Sequence, residues 1–216
     1  MSRIIDLTYP LDPDMLVWPG NRRPVYEWLE CTNTAPANVT YMSMCAHTGT
    51  HVDSPLHFCD GGETVDRMSL DHFWGRAKMF EVDPCMEGGE IPRSAVEEAN
   101  FTLDGAKIFV LRTRVERYAN VRQYNLEYAY PSVDLLGWLM SEGVICYMTD
   151  ATSIDPWGDA ESPRHRCFLR GGHAIVENLK NLAKLPKDRT FTICAMPLAL
   201  PGREGSPCRA AAWLDD

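Results

Sequence analysis

The chain has 216 residues, of which 45% are hydrophobic and 24% charged, and a formal net charge of −9. That length suits one α/β domain with a sizeable core, since ~150 residues per domain is only a soft prior. The acidic balance argues against nucleic acid or an anionic membrane as partner, and no hydrophobic run approaches the ~18 residues of a spanning helix. Residues 1–7 lack an apolar signal core, so the chain reads as a cytoplasmic protein.

The first strand is expected at residues 4–7, followed by a Pro- and Gly-punctuated loop that carries Trp18-Pro19-Gly20. Residues 39–45 alternate and read as a strand that enters a histidine-rich segment, 47–57. Residues 77–82 and 106–111 also read as strands. A helix is expected to open at Ser132 and close at Gly143, with Val133, Leu136, Leu139 and Met140 on one face. With the buried strand 144–148 that follows, strand 106–111 and this helix can form a crossover unit. A second helix has Ser162 as its expected N-cap, Pro163 as its first residue and Gly171-Gly172 as its stop. His165 then falls in its first turn and Glu177 in the extended segment beyond. A late strand covers 190–196. No internal repeat or linker divides the chain, so the fold class is a single α/β domain with a mixed sheet and flanking helices. The eight cysteines include no Cys-x-x-Cys pair and read as small buried hydrophobes, Cys59 being the one near the histidine segment.

Segment 47–57 reads His-Thr-Gly-Thr-His-Val-Asp-Ser-Pro-Leu-His. Any single histidine here could be a core or surface residue. Three imidazoles and a carboxylate on one short stretch favour a divalent cation such as zinc, manganese or iron. Residues 47, 51, 53 and 57 would share one face of an unbroken strand. Full extension, however, would set His47 and His51 roughly 13 Å apart. A helix would turn Asp53 away, and Thr48, Thr50, Val52 and Pro55 oppose one. A bend at Gly49, where φ is unrestricted, solves the problem by letting His47, His51 and Asp53 converge. Three ligands leave a position for water, the pattern of catalytic sites. His57 is close enough to act as ligand or as general acid/base. His72 and His173 fit no such pattern and read as structural.

This segment resembles the hallmark of the cyclase-like metal-dependent hydrolases, His-x-Gly-Thr-His-x-Asp-x-Pro-x-His, a family that includes kynurenine formamidases and isatin hydrolases. The likeness extends through Asp6-Leu-Thr-Tyr-Pro-Leu-Asp12, Trp18-Pro19-Gly20, Met68-Ser-Leu-Asp71, Asp150-Ala-Thr-Ser-Ile-Asp155-Pro156, Ile175-Val-Glu177 and Ser206-Pro-Cys-Arg209. The resemblance implies a barrel-like mixed sheet, a homodimer or homotetramer, and two divalent ions, zinc first with manganese as the alternative. His47, His51 and Asp53 would hold the first ion; Asp53 and Glu177 would bridge to the second, completed by His165. His57 would move the proton, and Trp18 would touch the substrate. The chemistry so implied is amide or lactam hydrolysis, with water acidified by the cation and an aryl group held by Trp18, Phe58 and Trp74. N-formylkynurenine is the first expected substrate. A ring-opening hydrolase and a noncatalytic metal-binding protein are the alternatives. Asn21, Ala151-Thr152 and Arg164 depart from the formamidase pattern.

Overall fold

The computed structural model describes residues 3–82, 89–115 and 127–214. Its strands are β1 (Arg3–Asp6), β2 (Val25–Glu30), β3 (Val39–Ser43), β4 (His51–Asp53), β5 (Trp74–Glu81), β6 (Glu90–Ile91), β7 (Ile108–Arg112), β8 (Tyr130–Pro131), β9 (Cys146–Thr149), β10 (Ala174–Glu177), β11 (Phe191–Pro197) and β12 (Gly205–Leu214). The helices are α1 (Arg93–Glu98), α2 (Val133–Ser141) and α3 (Pro163–Arg170). Strands β12, β11, β5, β7, β9, β10 and β4 hydrogen-bond in that order, and β4 returns to pair with β12. This is a closed, seven-stranded, mixed barrel. Its parallel part is β5-β7-β9-β10; every other pairing is antiparallel. Strand β12 can close the ring because it is long. One of its edges takes β4 at Gly205–Pro207 and β1 farther on, while the other takes β11.

The two sides of each parallel strand feed different cores. Ile108, Val110, Cys146, Met148 and Val176 point into the barrel with Val52, Met79, Ile193, Ala210 and Ala212. Phe109, Leu111, Tyr147 and Ile175 point outward against Leu135, Leu136, Leu139, Phe168 and Leu169 of α2 and α3. Both faces are buried, so these strands read as unbroken apolar runs rather than alternations. The expected crossover is present: β7 and β9 pair in parallel, and α2 lies between them in the chain, after the short β8. Ser132 caps α2 by accepting from Leu135 N.

Some expectations need correction. Ser162 does not cap α3 through its side chain; its backbone is left-handed. The Asp155 carboxylate takes that part, accepting from Arg164 N at 3.0 Å and His165 N at 3.1 Å. Trp74 begins β5 and is 60% exposed, away from the cavity described below. Strand β12 has no signal in the sequence. Gly205, Ser206, Pro207 and three alanines lack the β-branched and aromatic residues of a typical strand; Cys208, Ala210 and Ala212 are small against the crowded barrel interior, and Gly205 is small against His47 on the outer face. The β2–β3 ribbon extends beyond the single strand expected at 39–45, and all its residues are exposed. Cys146 and Cys208 are buried, five other cysteines are intermediate, and all seven are free; Cys85 lies outside the described residues. Cys59 packs toward the outer core rather than into the cavity. Among the described residues no helix is long and apolar enough to cross a membrane.

Candidate metal centre

Strand β4 supplies the first two side chains. His51 and Asp53 flank the inward-pointing Val52, so both project from the outer face of the barrel. The chain reaches β4 through a turn at Gly49, whose φ is +65° and whose missing Cβ would lie 2.8 Å from Leu11 Cδ2. The turn returns His47 over the strand, its Nδ1 2.7 Å from Asp53 Oδ1 and its ring 5.0 Å from that of His51. The bend is thus at the residue the spacing selects.

The distant residues arrive by register and by helix. Glu177 is the direct antiparallel partner of His51, across from β4 on β10. That pairing brings its Oε2 to 3.6 Å from His51 Nε2. Cross-strand neighbours on one face lie close enough for their side chains to meet. Helix α3 drops His165 onto the same spot, its Nε2 3.3 Å from Glu177 Oε1 and 3.7 Å from Asp53 Oδ2. His57 sits at the end of a single 3₁₀ turn, Pro55–His57, and stacks on His47 with ring centroids 4.0 Å apart. Phe58 stacks on His165 at 4.4 Å. All six polar residues therefore converge. Among the described residues, two groups have ligand atoms mutually within 4.8 Å: His47, Asp53 and His57, and His51, Asp53 and Glu177. Asp53 belongs to both. His72 and His173 lie outside this cluster, His72 bonding Ser69 O and His173 packing on Phe168.

The donor set fits a divalent cation. Both oxygens of Asp53 and both ring nitrogens of His47 are buried without a hydrogen-bond partner, their close approach to each other lacking hydrogen-bond alignment. Orphaned polar atoms of this kind are rare in folded proteins and ask for an ion or water. Imidazole and carboxylate without thiolate suit zinc or manganese. Burial raises Asp53, but His51, His47 and His57 outweigh it and hold the carboxyl well below its usual range. Burial and the neighbouring Asp53 push Glu177 up, partly offset by His165 and His51. Burial disfavours a charged His51, yet Asp53 and Glu177 bring it up to about 9. His57 goes the other way: burial pushes it down to about 3, against the pull of Asp53 and with help from His47, His165 and His51.

The cluster floors a cavity of about 480 Å³. Trp18 and Phe58 line it, as do Asn21, Thr152, Ser153, Trp157 and Asp159. Trp18 and Trp157 lie 5.0 Å apart, ring centre to ring centre. Sequence reasoning does not select Trp157, although it directly follows the Asp155-Pro156 stretch. Nor does it select Glu204. The Glu204 Oε1 is 3.5 Å from His47 Nε2, and nothing around it in sequence marks it.

A family model described as "Putative cyclase" matches residues 5–156. The chain is similar to a kynurenine formamidase of Bacillus mycoides, 31% identical over 97% of this chain and 96% of that one, and to one of Bacillus cereus, 32% identical over the same shares. Isatin hydrolase A from Labrenzia aggregata, bound to benzyl benzoate, has the same fold, with a TM-score of 0.85 at 22% identity over 100% of this chain and 94% of that one. So has a predicted metal-dependent hydrolase from Bacillus stearothermophilus, with a TM-score of 0.80 at 21% identity over 99% and 98%.

Proposed function

The chain belongs to the cyclase family, and from that premise we propose that it is a divalent-cation-dependent hydrolase of aryl formamides, with N-formylkynurenine as its substrate. The observation that carries this reading is the convergence of His47, His51, His165 and Glu177 around the buried Asp53, both of whose oxygens lack a hydrogen-bond partner, beneath a cavity walled by Trp18, Phe58 and Trp157. In this reading His47, His51 and Asp53 would hold one ion, and Asp53, Glu177 and His165 would hold a second. The ions are zinc, with manganese as the alternative. A bound divalent cation supplies Lewis acidity and water acidic enough to yield a nucleophile near neutral pH.

The side chains do the rest. His57, stacked on His47, accepts a proton from the attacking water and passes it to the departing aryl nitrogen. Trp18 and Trp157 hold the aryl ring and exclude water from one side of the amide. The buried Asp53 carboxylate is held ionised by its histidine neighbours, so it would be available as a cation ligand.

The β2–β3 ribbon supports homodimer assembly as part of the reading. Two-stranded hairpins are marginal alone in water, and this one exposes Val25, Tyr26, Trp28, Leu29, Tyr41 and Met42. An apolar surface of several hundred Å² is what one partner contributes to a stable interface.

The test is metal analysis of the purified chain, then chelation, reconstitution with Zn²⁺ or Mn²⁺, and assay on N-formylkynurenine, isatin and simple aryl formamides. N-formylkynurenine should be hydrolysed fastest, with activity lost on chelation and regained on reconstitution. Turnover of isatin without turnover of any formamide would overturn the substrate. Full activity in the chelated protein would overturn the cation.

A further inference from the structure

We infer that Asp155 is a positioning residue for this centre: its carboxylate fixes both the backbone and the ring of His165, and Arg164 fixes the carboxylate in turn. The inference rests on the proposal that His165 binds a divalent cation.

Two histidines of the cation cluster, His51 and His165, turn Nε2 inward and have Nδ1 held from outside. His51 Nδ1 bonds Gly49 O at 2.9 Å. The strongest such restraint is on His165, whose Nδ1 is 2.6 Å from Asp155 Oδ2. An ionised carboxylate only accepts hydrogen bonds, so His165 Nδ1 carries the hydrogen. In the neutral ring that a cation requires, the lone pair then belongs to Nε2, the nitrogen that faces Asp53 and Glu177. Such an outer carboxylate fixes tautomer and ring rotation together.

Asp155 makes all four of its described side-chain bonds to two consecutive residues. Oδ1 takes Arg164 N at 3.0 Å and Nη1 at 3.4 Å; Oδ2 takes His165 N at 3.1 Å and Nδ1 at 2.6 Å. One group thus sets where α3 begins and which way its histidine points. None of these bonds uses Asp155 as a ligand. Its own main chain is pinned as well, since Tyr128 donates its hydroxyl to Asp155 O at 2.8 Å.

Arg164 supplies the outer restraint. Its side chain is 9% exposed. Nε donates to Pro131 O at 2.7 Å, Nη2 pairs with Glu90, and the guanidinium lies 4.6 Å above the Tyr130 ring. The fork therefore ties Asp155 to the β6–β8 pair, outside the barrel. A lysine could not make this set of contacts, because it lacks the planar fork.

The experiment compares Zn²⁺ affinity and stoichiometry, by competition with a chromophoric chelator, in the wild-type chain, Asp155→Ala, Asp155→Asn and Arg164→Lys. Histidine ¹⁵N spectra of the zinc-loaded proteins report which His165 nitrogen carries the hydrogen, and thermal unfolding reports the fold. Asp155→Ala should bind the more weakly held ion about 10–100-fold less tightly and lose the single Nδ1–H tautomer. Asp155→Asn and Arg164→Lys should fall between it and wild type. A folded Asp155→Ala with wild-type affinity and tautomer overturns the inference. Should that variant not fold, a folded Asp155→Asn with both readouts at wild-type values does so. Failure of the wild-type chain to bind any divalent cation would instead sink the proposed function.

Discussion

Gly205 leaves the space that the His47 ring occupies: a Cβ at residue 205 would lie 2.7 Å from His47 Cε1 and 2.8 Å from Val52 O. Gly205 is also the direct partner of Asp53 across the β4–β12 pair. The barrel therefore closes at the residue that must be smallest for the cluster to form. Gly205→Ala should push His47 off Asp53. We expect at least about tenfold weaker Zn²⁺ binding and a stability loss of about 1–3 kcal/mol from overpacking. Equilibrium dialysis and thermal unfolding check both; unchanged cation binding would show that His47 has room to move.

His57→Ala tests the proton-transfer role. The substitution should leave metal content near wild type and lower kcat by about 10²–10⁴-fold. Metal analysis and single-turnover kinetics separate the two effects. Loss of a bound ion in this variant would make His57 a ligand, a role its grouping with His47 and Asp53 also allows.

Glu81 gives the fold a pH dependence remote from the cluster. Burial raises its pKa, but Lys187, Arg114 and Arg112 outweigh that and hold it at about 2. The folded value lies below the ordinary glutamate value of 4.5. Its contribution is therefore complete above pH ~4.5 and is lost as pH falls toward about 2. Glu81→Gln should destabilise the protein by about 2 kcal/mol at pH 7, with a smaller difference at pH 3. Urea denaturation at the two pH values is the measurement, and an equal difference at both would refute the assignment.

Trp28→Glu combined with Tyr41→Glu should convert the proposed dimer to monomer. Both residues are more than half exposed, and neither touches the cavity. Sedimentation equilibrium reads the mass directly. A double variant that remains dimeric would move the interface elsewhere.

The legible parts of this protein are those encoded by neighbours in sequence. Spacing alone places the bend at Gly49, because His47, His51 and Asp53 cannot meet on an extended chain. The apolar runs at residues 106–111 and 144–148 declare strands, and Pro131-Ser132 declares the start of α2. The motif resemblance carries Glu177 and His165, which no local pattern distinguishes. Helix α3 is legible while its cap is not. Ser162 has the right chemistry at the right position, but its left-handed backbone turns it away from the first helical amides.

What stays hidden depends on contacts across long separations. Glu204 meets His47 only because β12 closes the barrel beside β4. Trp157 meets Trp18 only because two loops converge over the outer face. Strand β12 carries small side chains because of the interior on one face and the His47 ring on the other, so its own sequence hides it. The sequence by itself determined the donor atoms, the bend that gathers three of them and the apolar faces that drive closure. The tertiary structure decided which distant groups reach those donors, since register and loop packing follow from the total burial of the chain and from no single segment of it.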